Sequence, residues 1–185
     1  RVTAIGVAAL RGAVTADAQG AVGVGYASLN SLTTGATNAA LGYQSGYYLT
    51  TGGNNLYIGA NAGFGNHTGA GNTYVGSSAG LGVQNNANGN NVGVGFQSLK
   101  GITTGTENVA VGKDAMLDNT GGAGNVAIGT EALANNTSAG ENVAVGKLAL
   151  YTNTTTGANT ALGYTALRFN IASGNTAVGH ASLYS

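Results

Sequence analysis

Six carboxylates are all that this 185-residue chain offers for acid–base work: Asp17, Glu107, Asp114, Asp118, Glu131 and Glu141. Asp114 and Glu131 hold the same repeat position one turn apart, which would set them about 5 Å from each other if neighbouring turns pair as strands. Two carboxylates at about that separation are what a retaining glycosidase uses. Lys113 and Lys147 hold the adjoining position, however, and the exposed edge of a repeat is the ordinary home for such charges, so all four read as solvated. His67 and His180 lie in different repeats and cannot share a metal within one chain. Three copies of one histidine around a threefold axis would meet an ion; as a polar loop residue it needs none. Gly121-Gly122-Ala123-Gly124 lacks the Lys-Ser/Thr of a phosphate loop. The repeated aspartate of the calcium-binding nonapeptide roll is missing, and Asn66-His67-Thr68 matches a glycosylation sequon as a chance product of Thr/Asn-rich repeats. No catalytic residue, metal or cofactor is expected.

Aromatic side chains are the better binding candidates. Tyr26, Tyr43, Phe96 and Tyr164 share one repeat position, at which Lys113, Lys147 and His180 also stand. A place that accepts such different chemistry reads as exposed. Tyr47 and Tyr48 belong to a second concentration with Tyr57, Phe64 and Tyr74. Exposed rings stack on sugars or anchor protein contacts, so Tyr26, Tyr43, Tyr47, Tyr48, Phe96 and Tyr164 are the candidate ligand-binding residues. Tyr57 and Tyr74 have the alternative of filling a wider coil. Threonine ladders on solenoids can bind ice, but Thr34, Thr51, Thr68 and Thr104 are out of step with Thr120, Thr137 and Thr154, and all lie beside glycine in presumed turns.

Composition narrows the classes further. The chain has 34 glycines, no proline, cysteine or tryptophan, and six Lys+Arg against six Asp+Glu. Without a basic surface it has no means of displacing counterions from nucleic acid. Disulfide scaffolds and cysteine zinc sites are excluded. No apolar run nears the 18 or so residues of a membrane helix, so no membrane insertion is expected in this segment, and no stretch has the form of a signal peptide. With 43% hydrophobic residues and zero net charge, the chain is expected to fold.

What must position these residues is a repeat. Asn-x-Ala-aliphatic-Gly recurs at 108–112, 125–129, 142–146 and 159–163, and the closing glycine marks eleven copies: Gly6, Gly25, Gly42, Gly59, Gly76, Gly95, Gly112, Gly129, Gly146, Gly163 and Gly179. Most intervals are 17 residues, and those at 6–25 and 76–95 are 19. Such a period specifies a solenoid with one repeat per turn. The four residues up to each glycine alternate and are rich in β-branched types, which predicts a short strand. Ala or Ser stands three residues after the glycine, followed in eight copies by Leu or Met, and this is read as a second apolar strand beyond a glycine bend. In three adjacent copies the Leu becomes Gly46, Gly63 or Gly80, and the bulky residue follows as Tyr47, Phe64 or Leu81; these are expected to fill the core from the shifted place. The long intervals are expected as enlarged loops.

Asparagine stands four residues before the glycine in nine copies: Asn38, Asn55, Asn72, Asn91, Asn108, Asn125, Asn142, Asn159 and Asn175. Stacked turns would align them as an amide ladder, or each would hold a turn conformation. Val2 and Ala21 replace it in the first two copies, so 1–35 reads as degenerate repeats and 36–185 as regular ones within a single domain, 1–185. Small residues lie on one side of the strand and Val/Ile/Leu/Thr on the other. One side fills a thin coil and the other needs a partner, which copies of the chain supply most economically. Neither end carries a capping pattern, with Arg1 opening inside a repeat and Tyr184-Ser185 stopping just after one begins, so the array is expected to be a fragment of a longer fibre.

The pattern Asn-x-Ala-aliphatic-Gly-x-x-Ala/Ser resembles the head repeats of YadA-like trimeric adhesins, and more closely their longer-period version in phage tail fibres and related bacterial fibre proteins. The resemblance spans essentially the whole chain and is best from Asn38 onward. It implies an all-β, left-handed parallel β-roll of about eleven 17-residue turns, a homotrimer, and an extracellular place on a bacterial surface or a phage virion fibre. The implied role is adhesion or recognition of a host or prey cell, as a rigid spacer and receptor-binding head for a cell-surface glycan or protein. Glycines 42, 59, 112, 129, 146 and 163 (Gly42, Gly59, Gly112, Gly129, Gly146, Gly163) and the nine asparagines are structural in this scheme. A polysaccharide-degrading tailspike and an ice-binding solenoid are the alternatives.

Overall fold

The computed structural model describes residues 1–12 and 14–184; Ala13, and Ser185 with which the sequence closes, lie outside the described residues. Eleven three-residue strands follow one another: β1 (Thr3–Ile5), β2 (Val22–Val24), β3 (Ala39–Leu41), β4 (Leu56–Ile58), β5 (Thr73–Val75), β6 (Val92–Val94), β7 (Val109–Val111), β8 (Val126–Ile128), β9 (Val143–Val145), β10 (Thr160–Leu162) and β11 (Thr176–Val178). They form one parallel sheet in sequence order. Register never slips, so that Val126 faces Val109 and Val143, and Ala127 faces Ala110 and Ala144. The chain is thus a β-solenoid of ten turns with a 17-residue period, and the two longer intervals are absorbed outside the sheet.

Alternation along each strand sorts the side chains. The middle residue (Ala110, Ala127, Ala144 or Ala161) is wholly buried, while the two flanking residues face outward. Buried Ala115, Ala132, Ala149 and Ala166 line the opposite wall, and Leu99, Met116, Leu133 and Leu150 fill the space between.

That opposite wall corrects the expectation of two strands per turn. It is a bend in which the second and fourth residues after each marker glycine take positive φ, as Glu131 (57°) and Leu133 (53°) do. For an L-residue this costs about 1 kcal/mol or more. The bend turns successive N–H groups toward different neighbours: Glu131 donates to the Lys113 carbonyl of the preceding turn at 2.9 Å, and Leu133 to that of Ala149 in the next, also at 2.9 Å. Every turn thereby keeps its backbone paired without a second strand.

The three copies with Gly46, Gly63 and Gly80 are also corrected. Tyr47, Phe64 and Leu81 remain at the surface, half-buried. The core is filled by Tyr57 and Tyr74, which are wholly buried and stacked at 5.7 Å. A Cβ on Gly63 would lie 2.5 Å from the Tyr57 ring and one on Gly80 2.3 Å from that of Tyr74. The ring takes the room that leucine fills elsewhere, so tyrosine inside requires glycine opposite. Gly63 has φ of 61°, close to that of the leucines at equivalent places, so leucine suits its backbone once the ring is gone. We expect Tyr57→Ala to lose about 3–5 kcal/mol and Gly63→Leu a similar amount. The double variant should recover more than about 2 kcal/mol of the sum in urea unfolding; simple additivity would disprove the exchange.

Candidate functional site

Two buried asparagine columns hold the turns in register. In the first, the expected ladder, the Asn125 side-chain and backbone N–H groups both donate to Asn108 Oδ1 at 3.0 Å, and Asn142 repeats this onto Asn125 at 3.1 and 3.0 Å. The same links run from Asn38 through Asn159, and the Asn175 backbone N–H joins at 2.9 Å. Most of these side chains also close a turn, as when Asn108 Nδ2 donates to the Gly122 carbonyl at 2.8 Å. The second column, Asn66, Asn119, Asn136, Asn153 and Asn170, escaped the sequence reading. Its members are buried and close short loops, Asn119 Oδ1 accepting from the Gly122 N–H at 3.0 Å. Leu32, Leu49 and Ile102 occupy the same place in other turns, so only the seventh residue after each glycine, counted turn by turn, would have found it.

The buried tyrosines join this framework. Asn66 Nδ2 donates to the Tyr57 hydroxyl at 2.6 Å, and the Tyr74 hydroxyl donates to Asn88 Oδ1 at 2.7 Å. Burial pushes both phenols above the ordinary value, against the pull of their asparagine hydrogen bonds. They are structural and do not face a ligand.

Outside, the strand wall presents two columns of Val, Ile, Leu and Thr with an occasional Ala and no charge. Ile5, Leu41, Leu56, Val94, Ile128, Leu162 and Val178 are exposed. Val22, Val24, Leu41, Leu56 and Ile58 border a shallow depression of about 240 Å³. Ten inter-strand spacings make the wall about 48 Å long. An apolar face of that extent on a parallel sheet is ordinarily covered.

Just past the glycine bend lies the aromatic column. Tyr26 and Tyr43 are 51% and 52% exposed and stack at 5.4 Å with 11° between their planes. Phe96 is 48% exposed, and Tyr164 stacks on His180 at 5.2 Å. Tyr47 and Tyr48 pack edge-to-face at 4.8 Å and both touch Phe64, forming a separate half-buried cluster on the next face. The six candidate residues therefore divide between two faces. Arg168, lying over the Tyr151, Phe169 and Tyr184 rings, extends that second face.

Asp114 and Glu131 hold equivalent places in adjacent turns, each the second residue past its marker glycine and at positive φ. Asp114 pairs with Lys113 at 3.4 Å, and with the Gln97 amide in its hydrogen-bonding orientation Asp114 Oδ1 also accepts from it at 3.2 Å. Among the described residues no three metal-ligating side chains come together, and no helix is long and apolar enough to cross a membrane. The expected offset holds, with Thr34, Thr51, Thr68 and Thr104 one place beyond Thr120, Thr137 and Thr154, but Thr33, Thr50 and Thr103 extend the latter column. The Thr33, Thr50, Thr120 and Thr137 hydroxyls donate to the carbonyl one turn on, at 2.9–3.1 Å. They tie turns together.

Comparison with known protein families, with characterised proteins and with solved structures finds no match.

Proposed function

We propose that this chain is a segment of a homotrimeric, left-handed β-roll fibre at a cell or virion surface, acting in adhesion as a rigid spacer with receptor-contacting side chains. The observation that carries this is the uncharged apolar strand wall, about 48 Å long, beside a core already filled by the chain's own residues. A second and third copy are its natural cover: an identical, unslipped repeat presents the same apolar columns at the same spacing, and cyclic closure leaves no face open. Ladders of buried amides and backbone hydrogen bonds along the axis supply stiffness. The exposed aromatics beside the wall supply contact surface, and no catalytic residue is assigned.

Light scattering coupled to gel filtration tests the assembly. Particles of three times the 17.9 kDa chain mass are expected, and Val111→Asp with Ile128→Asp, which places two charges in the covered face, should give one chain mass. A wild-type monomer, or a trimer indifferent to both charges, would overturn the proposal. For adhesion, labelled trimer should bind intact cells and lose at least about tenfold in affinity when the exposed aromatics become alanine.

A further inference from the structure

We infer that the gap between Tyr43 and Phe96 binds an uncharged pyranose of a surface glycan, which deepens the adhesion proposal by naming its ligand class. Along the column that follows the marker glycines, the order is Tyr26, Tyr43, Ala60, Ser77, Phe96. Tyr43 is covered on one face by Tyr26, their planes only 11° apart. Its ring therefore lies across the solenoid axis, and the opposite face looks over Ala60 toward Phe96. Three inter-turn spacings separate Tyr43 from Phe96, about 14 Å, with only a methyl and a hydroxymethyl group between them. At the 4.5–7 Å centroid spacing of stacked rings, that length admits one or two six-membered rings.

Polar groups suited to sugar hydroxyls stand beside the gap. The next residues in the chain are Gln44, Asn61 and Ser78, all half-buried. The Lys113–Asp114 contact shows that side chains of these two adjoining columns reach each other, and the Gln97–Asp114 contact shows that the second column links from turn to turn. Among the described residues, no side-chain hydrogen bond is made by Gln44, Asn61, Ser77 or Ser78. Two amides and two hydroxyls thus stand unspent next to an open aromatic face. Neither column carries a charge between Tyr43 and Ser78, which selects a neutral sugar: its C–H face lies on Tyr43, its hydroxyls meet Asn61 and Ser78, and the glycan runs on toward Phe96.

Saturation-transfer NMR and titration calorimetry, with methyl glycosides of glucose, galactose, mannose and N-acetylglucosamine and their disaccharides as probes, test the inference. At least one probe should receive saturation on its ring C–H protons. Tyr43→Ala should weaken it by about tenfold or more, and Lys147→Ala, in the same column but outside the gap, should leave it unchanged. Ala60→Tyr removes nothing but extends the Tyr26–Tyr43 stack into the gap, and should abolish binding. No transfer to any probe, or binding that survives Ala60→Tyr, overturns the inference. Light scattering on the same samples separates the two proposals: a trimer that binds no glycoside refutes this site alone, and a monomer that binds one refutes the fibre alone.

Discussion

Asn125→Leu is expected to lower the stability of the array by about 2–6 kcal/mol, a large share of the 5–15 kcal/mol typical of a folded domain. The asparagine is wholly buried. Its Oδ1 is the acceptor for both the Asn142 backbone N–H and Asn142 Nδ2, and each buried donor left without a partner costs about 1–3 kcal/mol. The upstream losses are milder, because Asn108 Oδ1 keeps the Asn125 backbone N–H and the Ala139 carbonyl keeps Asn136 Nδ2. The damage falls between β8 and β9, and in a solenoid each turn is held chiefly by its neighbours. Among the described residues Asn175 accepts from no further asparagine: it donates to Asn159, Asn170 and the Ala172 carbonyl, so in this chain Asn175→Leu should cost about 1 kcal/mol or less. Urea unfolding of the two variants measures the contrast. Equal losses would mean that asparagine acts through its own turn and that the ladder adds nothing.

The second large effect belongs to the marker glycines. Gly129→Ala is expected to cost about 3–5 kcal/mol. Gly129 has φ of +132°, where L-residues are essentially not found, and an added Cβ would lie 2.7 Å from the Gly146 carbonyl carbon and 2.8 Å from its oxygen. Those atoms are backbone of the next turn, held by its own pairing, and cannot give way. Gly124, five residues earlier, has φ of +66° and nothing nearer than 3.9 Å. Equivalent places carry Asn54, Asn90 and Glu107 at similar positive φ, so Gly124→Asn should change stability by less than about 0.5 kcal/mol. Comparison of urea midpoints tests the pair, and a tolerated Gly129→Ala would show that successive turns are not held at the described distance.

The contrast between these glycines marks how far the sequence could be read. A glycine at one fixed repeat position points to a conformational demand, and its regular recurrence gave the turn length and the strand register. The buried alanines of β7 to β10 followed from alternation, as did the outward aliphatics. The aromatic column was legible because tyrosine, phenylalanine, lysine and histidine share one place. Its division from the Tyr47–Tyr48–Phe64 cluster was not, because only the path of the bend shows that residues four and five places further along the chain lie on another face.

By itself, then, the sequence determined the period, the marker glycines, the first asparagine ladder and the apolar outer wall, because each is a property of one position repeated down a column. Tertiary structure alone decided what depends on contact between columns. The Ala/Ser–Leu segment is apolar enough for a strand, yet Leu133 bends to positive φ because its N–H finds the Ala149 carbonyl there. Glycine at 46, 63 and 80 gave no sign of its cause, since the ring that excludes a side chain belongs to a strand residue, Tyr57 or Tyr74, in another part of the turn. The second asparagine column was hidden because Leu32, Leu49 and Ile102 occupy it too: the site is a buried one, open either to an apolar side chain or to an amide that bonds inside the coil, as Asn119 does with both the N–H and the carbonyl of Gly122.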